Sequence, residues 1–280
     1  DEAIEPFKKL TTIIKDAGAR AWVQLFHAGA YAFSVILDGE RPVAPSEVYS
    51  KYSKETPRAL TIEDINNLQQ TYVNAALRAK EAGFDGIEIH SSNGYLFHQF
   101  FSAQSNQRDD EYGGSHENRA RFFFEVLDAI GQVMPFDRVG FRLNPMMNRF
   151  HGVSVDADTV PMWEHIVRRA NGYGLAFLHL TEPFMPRQLD DTPDGLADVG
   201  AHFRPLATMS IIANGGLDQT SGEARLAAGL CDAVAYGRAW IANPDLVERF
   251  ATNAPLNEPD TKTFYQGDEQ GYLDYPTLAP

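Results

Sequence analysis

Short runs rich in β-branched and aromatic residues alternate with longer amphipathic stretches along most of the chain, and this limits the fold more than any other feature. A first helix is predicted over 4–17, with Ile4, Phe7, Leu10, Ile13 and Ile14 on one face and Gly18 stopping it. Residues 22–26 then read as a buried strand, and 27–60 as a long loop punctuated by proline. Thr61, with Asp64 three residues on, forms a pair of the capping-box kind. From there Ile62, Ile65, Leu68, Tyr72, Ala75 and Ala79 recur at helical spacing until Gly83, and 86–90 is the next strand. Further strands are predicted at 138–143, 175–180, 210–213 and 233–236, and helices around 119–130, 161–170 and 222–230. The tail from Ala254 onward reads as surface coil.

Strands that are each followed by a crossover build either an open doubly wound sheet or a closed barrel. No Gly-x-Gly-x-x-Gly follows any of these strands, which argues against a dinucleotide-binding sheet. Polar residues gather instead at the C-terminal ends of several strands: Gln24, His90, Arg142, Asn214 and Arg238. A barrel brings all such ends to one mouth, where its chemistry sits. The expected fold is therefore α/β, a TIM (β/α)8 barrel with about six of eight βα units present, in a single domain over 1–280.

A net charge of −14 and a pI near 4.9 argue against nucleic acid and against anionic lipid as partners, since both demand clustered Lys and Arg. Cys231 is the one cysteine, so neither an internal disulfide nor a multi-thiolate metal site is open to the chain. No apolar run approaches the roughly 20 residues of a membrane helix, and the first ten residues hold no signal-peptide core. The default expectation is a cytoplasmic protein.

The segment leaving strand 86–90 carries the most chemistry. His90 and Asn93, three apart just beyond a strand end, can aim two donors at one substrate oxygen. Such a pair stabilises the enolate formed when hydride adds to the β-carbon of an unsaturated carbonyl. Tyr95 could then protonate the α-carbon as a general acid. On residue type alone His90 could equally be a satisfied strand-end histidine, and Tyr95 a packing residue. A zinc site through His90 and His98 lacks enough further ligands. Arg142 is by itself as well explained by a salt bridge as by a ligand, and the paired glycines at 215–216 by a turn.

The run from His90-Ser-Ser-Asn-Gly-Tyr95 through Gln99, Ser105-Asn, Arg108 and Asp110-Glu-Tyr-Gly-Gly-Ser115 to Glu117-Asn-Arg-Ala-Arg121-Phe resembles the signature stretch of the Old Yellow Enzyme family. The likeness continues through Gly140-Phe-Arg142-Leu, Ala213-Asn-Gly-Gly216 and Tyr236-Gly-Arg238, and on to Asn243-Pro-Asp-Leu246. It ends in a tail around Thr263-Phe-Tyr265 and Asp274-Tyr-Pro276, so that it spans about 7–276.

The resemblance implies a flavin-dependent ene-reductase with bound FMN and NAD(P)H as reductant. It would reduce activated C=C bonds of enones, enals, maleimides or nitroalkenes by ping-pong hydride transfer. His90, Asn93 and Tyr95 would be catalytic, and Phe26 and Tyr265 would join His90 and Asn93 around the substrate; for Tyr265, packing is the competing explanation. Gln24, Arg142, Ala213, Asn214, Gly215, Gly216, Gly237 and Arg238 would hold FMN, with Gln24 and Arg142 at the flavin ring and the later residues at the phosphate. No metal is implied. Phe26 stands where many members have tryptophan, and Ala30 where an arginine is common, so substrate preference is open.

Members also begin with two further strands, which implies that a second chain or an additional segment supplies them here. Two rival readings follow: a dienoyl-CoA-reductase-like member, disfavoured because Cys231 alone cannot hold its iron–sulfur cluster, and a non-catalytic half-barrel subunit.

Overall fold

A computed structural model describes residues 2–147, 154–183, 196–264 and 269–278. Its main sheet is parallel and has six strands: β1 (Trp22–Leu25), β4 (Gly86–His90), β5 (Val139–Leu143), β6 (Phe177–Thr181), β7 (Ser210–Asn214) and β8 (Ala233–Val234), in that spatial order. The loop over 27–60 also contains a small parallel pair, β2 (Val43–Ala44) with β3 (Arg58–Ala59), which the sequence pattern misses.

Period-2 alternation divides the residues of the main sheet cleanly between its faces. Ile87, Ile89, Val139, Phe141, Leu143, Leu178, Leu180 and Ile211 belong to a core shared with the outer helices, chiefly α2 (Ile62–Glu81), α4 (His116–Gly131) and α5 (Thr159–Ala170). The register sets Trp22 opposite Gly86, Gln24 opposite Glu88, His90 opposite Arg142, Arg142 opposite His179 and Thr181 opposite Asn214, so the other face is mostly polar. It curls. The rings of Trp22 and Phe177 meet at 5.0 Å between centroids, although β4 and β5 lie between their strands. Three strand spacings on a flat sheet would hold them about 14 Å apart. Gly86 and Gly140 make room between them, since a Cβ would lie 2.4 Å from the Trp22 ring and 2.3 Å from the Phe177 ring respectively. The sheet is a barrel arc with the expected six βα units, polar inside its C-terminal end.

The predicted helices and strands are present, with corrections at both edges of the sheet. Thr61 caps α2 through a full capping box with Asp64. In contrast, α1 (Ile4–Asp16) buries Ile4 and Thr11 but leaves Phe7, Leu10 and Ile13 at 40%, 45% and 67% exposure, so its predicted apolar face is mostly uncovered. The reason is position: α1 packs on α2 and shares an apolar hollow with β1, which has a strand neighbour on one side only among the described residues. β8 is the other edge, and it stops at Val234 rather than at 236.

Candidate active site

β4 delivers His90 to the mouth, and the chain then turns sharply. Asn93 and Gly94 both adopt left-handed conformations, with φ of 56° and 78°. Asparagine tolerates this region better than most residues. Glycine is required at the next position, because a Cβ on Gly94 would lie 2.2 Å from the Tyr31 ring. The turn is locked from beneath by α3 (Leu96–Phe101), whose residues are all buried. His98 Nδ1 accepts from the Gly94 N–H at 3.0 Å, and Gln99 Nε2 donates to the Gly94 carbonyl at 2.6 Å. Burial and the neighbouring His90 hold the His98 pKa down at about 3. His98 is thus a neutral part of the scaffold, and no metal-ligand cluster occurs among the described residues.

The fold of this turn returns Asn93 to His90, with Nδ2 3.4 Å from His90 Nε2. His90 Nδ1 faces the Ser92 N–H at 3.3 Å and so acts as the acceptor. Burial first, and then the Arg142 charge, depress the His90 pKa to about 4, so the imidazole is neutral. With Nδ1 accepting, the proton belongs on Nε2. Asn144 Nδ2 donates to Asn93 Oδ1 at 2.8 Å, which turns the Asn93 amide nitrogen toward the same spot. Two N–H donors 3.4 Å apart cannot satisfy each other, and both suit one acceptor oxygen. Tyr95 stands edge-on to His90 at 4.9 Å between ring centroids, and Phe26 lies 5.2 Å from Tyr95.

Deeper in the arc, Gln24 donates its amide to Glu88, and His179 Nδ1 lies 2.8 Å from the other Glu88 oxygen. Above them Arg142 reaches Thr181 Oγ1 at 3.3 Å. At the far end, Arg142, Thr181, Asn214, Gly215, Gly216, Tyr236, Gly237 and Arg238 line one depression. Gly215 and Gly216 have φ of 105° and 67°, and a Cβ on Gly215 would lie 2.5 Å from the Glu182 carbonyl oxygen. Asn214 Oδ1 is buried with no hydrogen-bond partner among the described residues. A glycine-lined hollow with an unmet acceptor and two guanidinium groups fits a hydrogen-bonding, phosphate-bearing ligand such as FMN.

The sequence-predicted residues therefore fall into two groups at one mouth. His90, Asn93, Tyr95 and Phe26 stand together after β4 and β1, whereas Arg142, Asn214, Gly215, Gly216, Gly237 and Arg238 surround the depression. Ala213 stands apart: its side chain lies in the hydrophobic core, and its carbonyl accepts from the Ala235 N–H. Tyr265 lies outside the described residues. Glu88, His179 and Asn144 were missed, although the alternation of 86–90 already puts Glu88 on the face of His90.

The family model for NADH:flavin oxidoreductase / NADH oxidase matches residues 1–257. A putative 12-oxophytodienoate reductase 4 of Oryza sativa subsp. japonica is 39% identical over 287 residues, covering 99% of this chain and 74% of the relative. A probable flavin mononucleotide-dependent alkene reductase of Leishmania infantum is 36% identical, with 99% and 78% covered. The structure of morphinone reductase in complex with tetrahydroNAD superposes with a TM-score of 0.89 at 38% identity, over 99% of this chain and 77% of that one. The Old Yellow Enzyme homologue from Zymomonas mobilis gives a TM-score of 0.89 at 32% identity, over 98% and 79%.

Proposed function

This chain belongs to the NADH:flavin oxidoreductase / NADH oxidase family, that of Old Yellow Enzyme, and from that premise we propose that it is an FMN-dependent NAD(P)H:acceptor oxidoreductase that reduces activated C=C bonds. The observation that carries this reading is the convergence of His90 Nε2 and Asn93 Nδ2 at the mouth, each oriented by a second group. Donors fixed in this way stabilise negative charge developing on a carbonyl or nitro oxygen, and need no rearrangement to do so. Arg142, the glycines at 215, 216 and 237, and Arg238 hold the cofactor. When bound, FMN carries hydride from the nicotinamide to the alkene. Tyr95, packed against His90 and Phe26, supplies the proton to the α-carbon. Tyr265 and Phe26 border the alkene, and nicotinamide and alkene use the one mouth in turn, giving ping-pong kinetics.

The purified protein should be yellow, bleach with NADH or NADPH, and recover its colour with 2-cyclohexenone. Tyr95→Phe should leave the bleaching rate unchanged and slow the recovery on the order of 100-fold. Equal loss in both halves would remove Tyr95 from the proton-donor role.

A further segment, from a second polypeptide or the same gene product, is proposed to pair with the open edges of β1 and β8. Support comes from those edges, from the exposed face of α1, and from an apolar hollow lined by Ile4, Phe7, Val23, Leu25, Ala79 and Phe84. Active yellow material should show that extra mass by mass spectrometry. The chain alone, monomeric and active, would overturn it.

A further inference from the structure

Below the mouth lies a hydrogen-bonded row that the proposed chemistry does not use. Glu88 on β4 receives the Gln24 amide from β1 on one oxygen and faces His179 Nδ1 from β6 on the other, at 2.8 Å. The row crosses β5 where Gly140, in register with Glu88, has no side chain to block it. Glu88 and His179 are both buried, while Gln24, in register with Glu88, is exposed to solvent. Burial alone would raise the Glu88 pKa. The hydrogen bond and charge of His179, the Gln24 amide and the Arg142 charge outweigh it and hold the carboxyl below the ordinary range. Glu88 is therefore a carboxylate, which can only accept.

That asymmetry matters for Gln24. An amide can present either its oxygen or its nitrogen to a neighbour, and the two orientations have nearly the same shape. Facing a carboxylate, Gln24 must turn its NH2 group toward Glu88, which leaves Oε1 without a hydrogen bond on this exposed residue. We propose that Glu88 is a positioning residue that fixes the Gln24 amide so that its oxygen is presented to the imide N3–H of FMN. The proposal rests on the flavin reading above. It assigns to Glu88 a preference for the donor-bearing edge of the ring, transmitted through Gln24 with no contact of its own to the ligand.

The test is a binding measurement on the purified active protein, together with any segment that copurifies with the chain, freed of flavin, titrated with FMN and with N3-methyl-FMN and followed by flavin fluorescence. The unaltered chain should bind FMN about tenfold tighter than the methylated form, the usual worth of one hydrogen bond. Glu88→Met removes the acceptor, lets the amide rotate, and should bring the ratio to within about threefold of one. In a Gln24→Ala background, where the ratio is already low, Glu88→Met should change it no further, the non-additivity that defines action through Gln24. If Glu88→Met does not fold, Glu88→Met with His179→Leu removes the buried pair together and carries the same expectation.

A ratio unchanged by loss of Glu88 would overturn the assignment, since a residue that merely stabilises the arc weakens both ligands equally. Failure of the unaltered chain to bind FMN would overturn the flavin reading and this assignment with it. FMN binding with an insensitive ratio overturns this assignment alone.

Discussion

After β4 the backbone is tied at almost every residue, whereas after β7 and β8 it is left largely open. All five residues of β4 are buried, as are Ser91 and Ser92, and the Asn93–Gly94 turn is held by His98, Gln99 and the Tyr31 ring. At the other end Gly216, Gly237 and Arg238 are exposed, and β8 has two residues, one of them exposed. The difference is one of what each end must do in advance. Donors that stabilise charge on a substrate are effective only if they are already in place when the charge develops. A phosphate cradle needs only backbone that can approach and a cation nearby, and its ligand contributes the rest on binding.

This contrast can be broken most severely at the rigid end. Replacing His90 and Asn93 together by alanine should slow alkene reduction by a factor on the order of 100 or more, as loss of oxyanion donors does in other enzymes. Flavin reduction by the nicotinamide and thermal stability are the controls. A small effect would mean that the tied turn exists for folding rather than for chemistry.

The open end should respond differently. Arg238→Ala is expected to weaken FMN binding by roughly 10- to 100-fold, from the 1.5–3 kcal/mol typical of a hydrogen bond to a charged group. The rate of alkene reduction by enzyme saturated with FMN should scarcely change. Unaltered flavin affinity would remove Arg238 from the phosphate site.

Asn144 sharpens the comparison, since it acts on the rigid end only by orienting Asn93. Asn144→Ala should free the Asn93 amide to rotate and slow alkene reduction about tenfold, less than loss of Asn93 itself. Stopped-flow recovery of flavin colour is the readout, with FMN affinity unchanged.

Much of this was legible in the residues, because the main sheet rests on local period and the mouth on strand ends. All six main strands were read, and the groups at His90, Arg142, Asn214 and Arg238 do collect at one rim, with Gln24 a layer below them beside Glu88. Helix starts were read late where a cap went unrecognised: Ser115 caps α4 through the Asn118 N–H, and Asp218 caps the helix Gln219–Ala227 through the Ser221 N–H. Both are ordinary capping residues three positions ahead of their partner. The strand predicted at 175–180 begins at Phe177, where its ladder with Gly140 begins. The six residues of α3 and the two-residue strands β2 and β3 are too short for any period to show, and exist through tertiary contacts. The Glu88–His179 pair joins residues 91 apart across an intervening strand, which needs the curl of the sheet as well as its alternation. The same is true of the exposed stripe on α1. Its period was right, but what covers a face is not written in that face.

The smallest expected effect is no change at all, and it distinguishes a neutral donor from a charged one. His90 is held near pKa 4, so between about pH 5.5 and 8 its imidazole stays neutral with Nε2–H pointing out. Alkene reduction measured on pre-reduced enzyme should therefore be flat in pH across that window, with no inflection near 6.5, the ordinary histidine value. Stability should not be flat. His90 and His98 are both held neutral in the fold well below their unfolded value, so the unfolded chain binds more protons as pH drops below about 6.5. Their contribution is complete above that pH and is lost progressively toward pH 4, by about 3 kcal/mol for His90 alone from a shift of roughly 2.5 units. Denaturant midpoints at pH 7 and pH 5 would show the loss, and His98→Gln should reduce it. An inflection near 6.5 in the alkene half-reaction would instead mean that His90 is protonated in the working site. The neutral imidazole held by Ser92 would then be the wrong form of the donor.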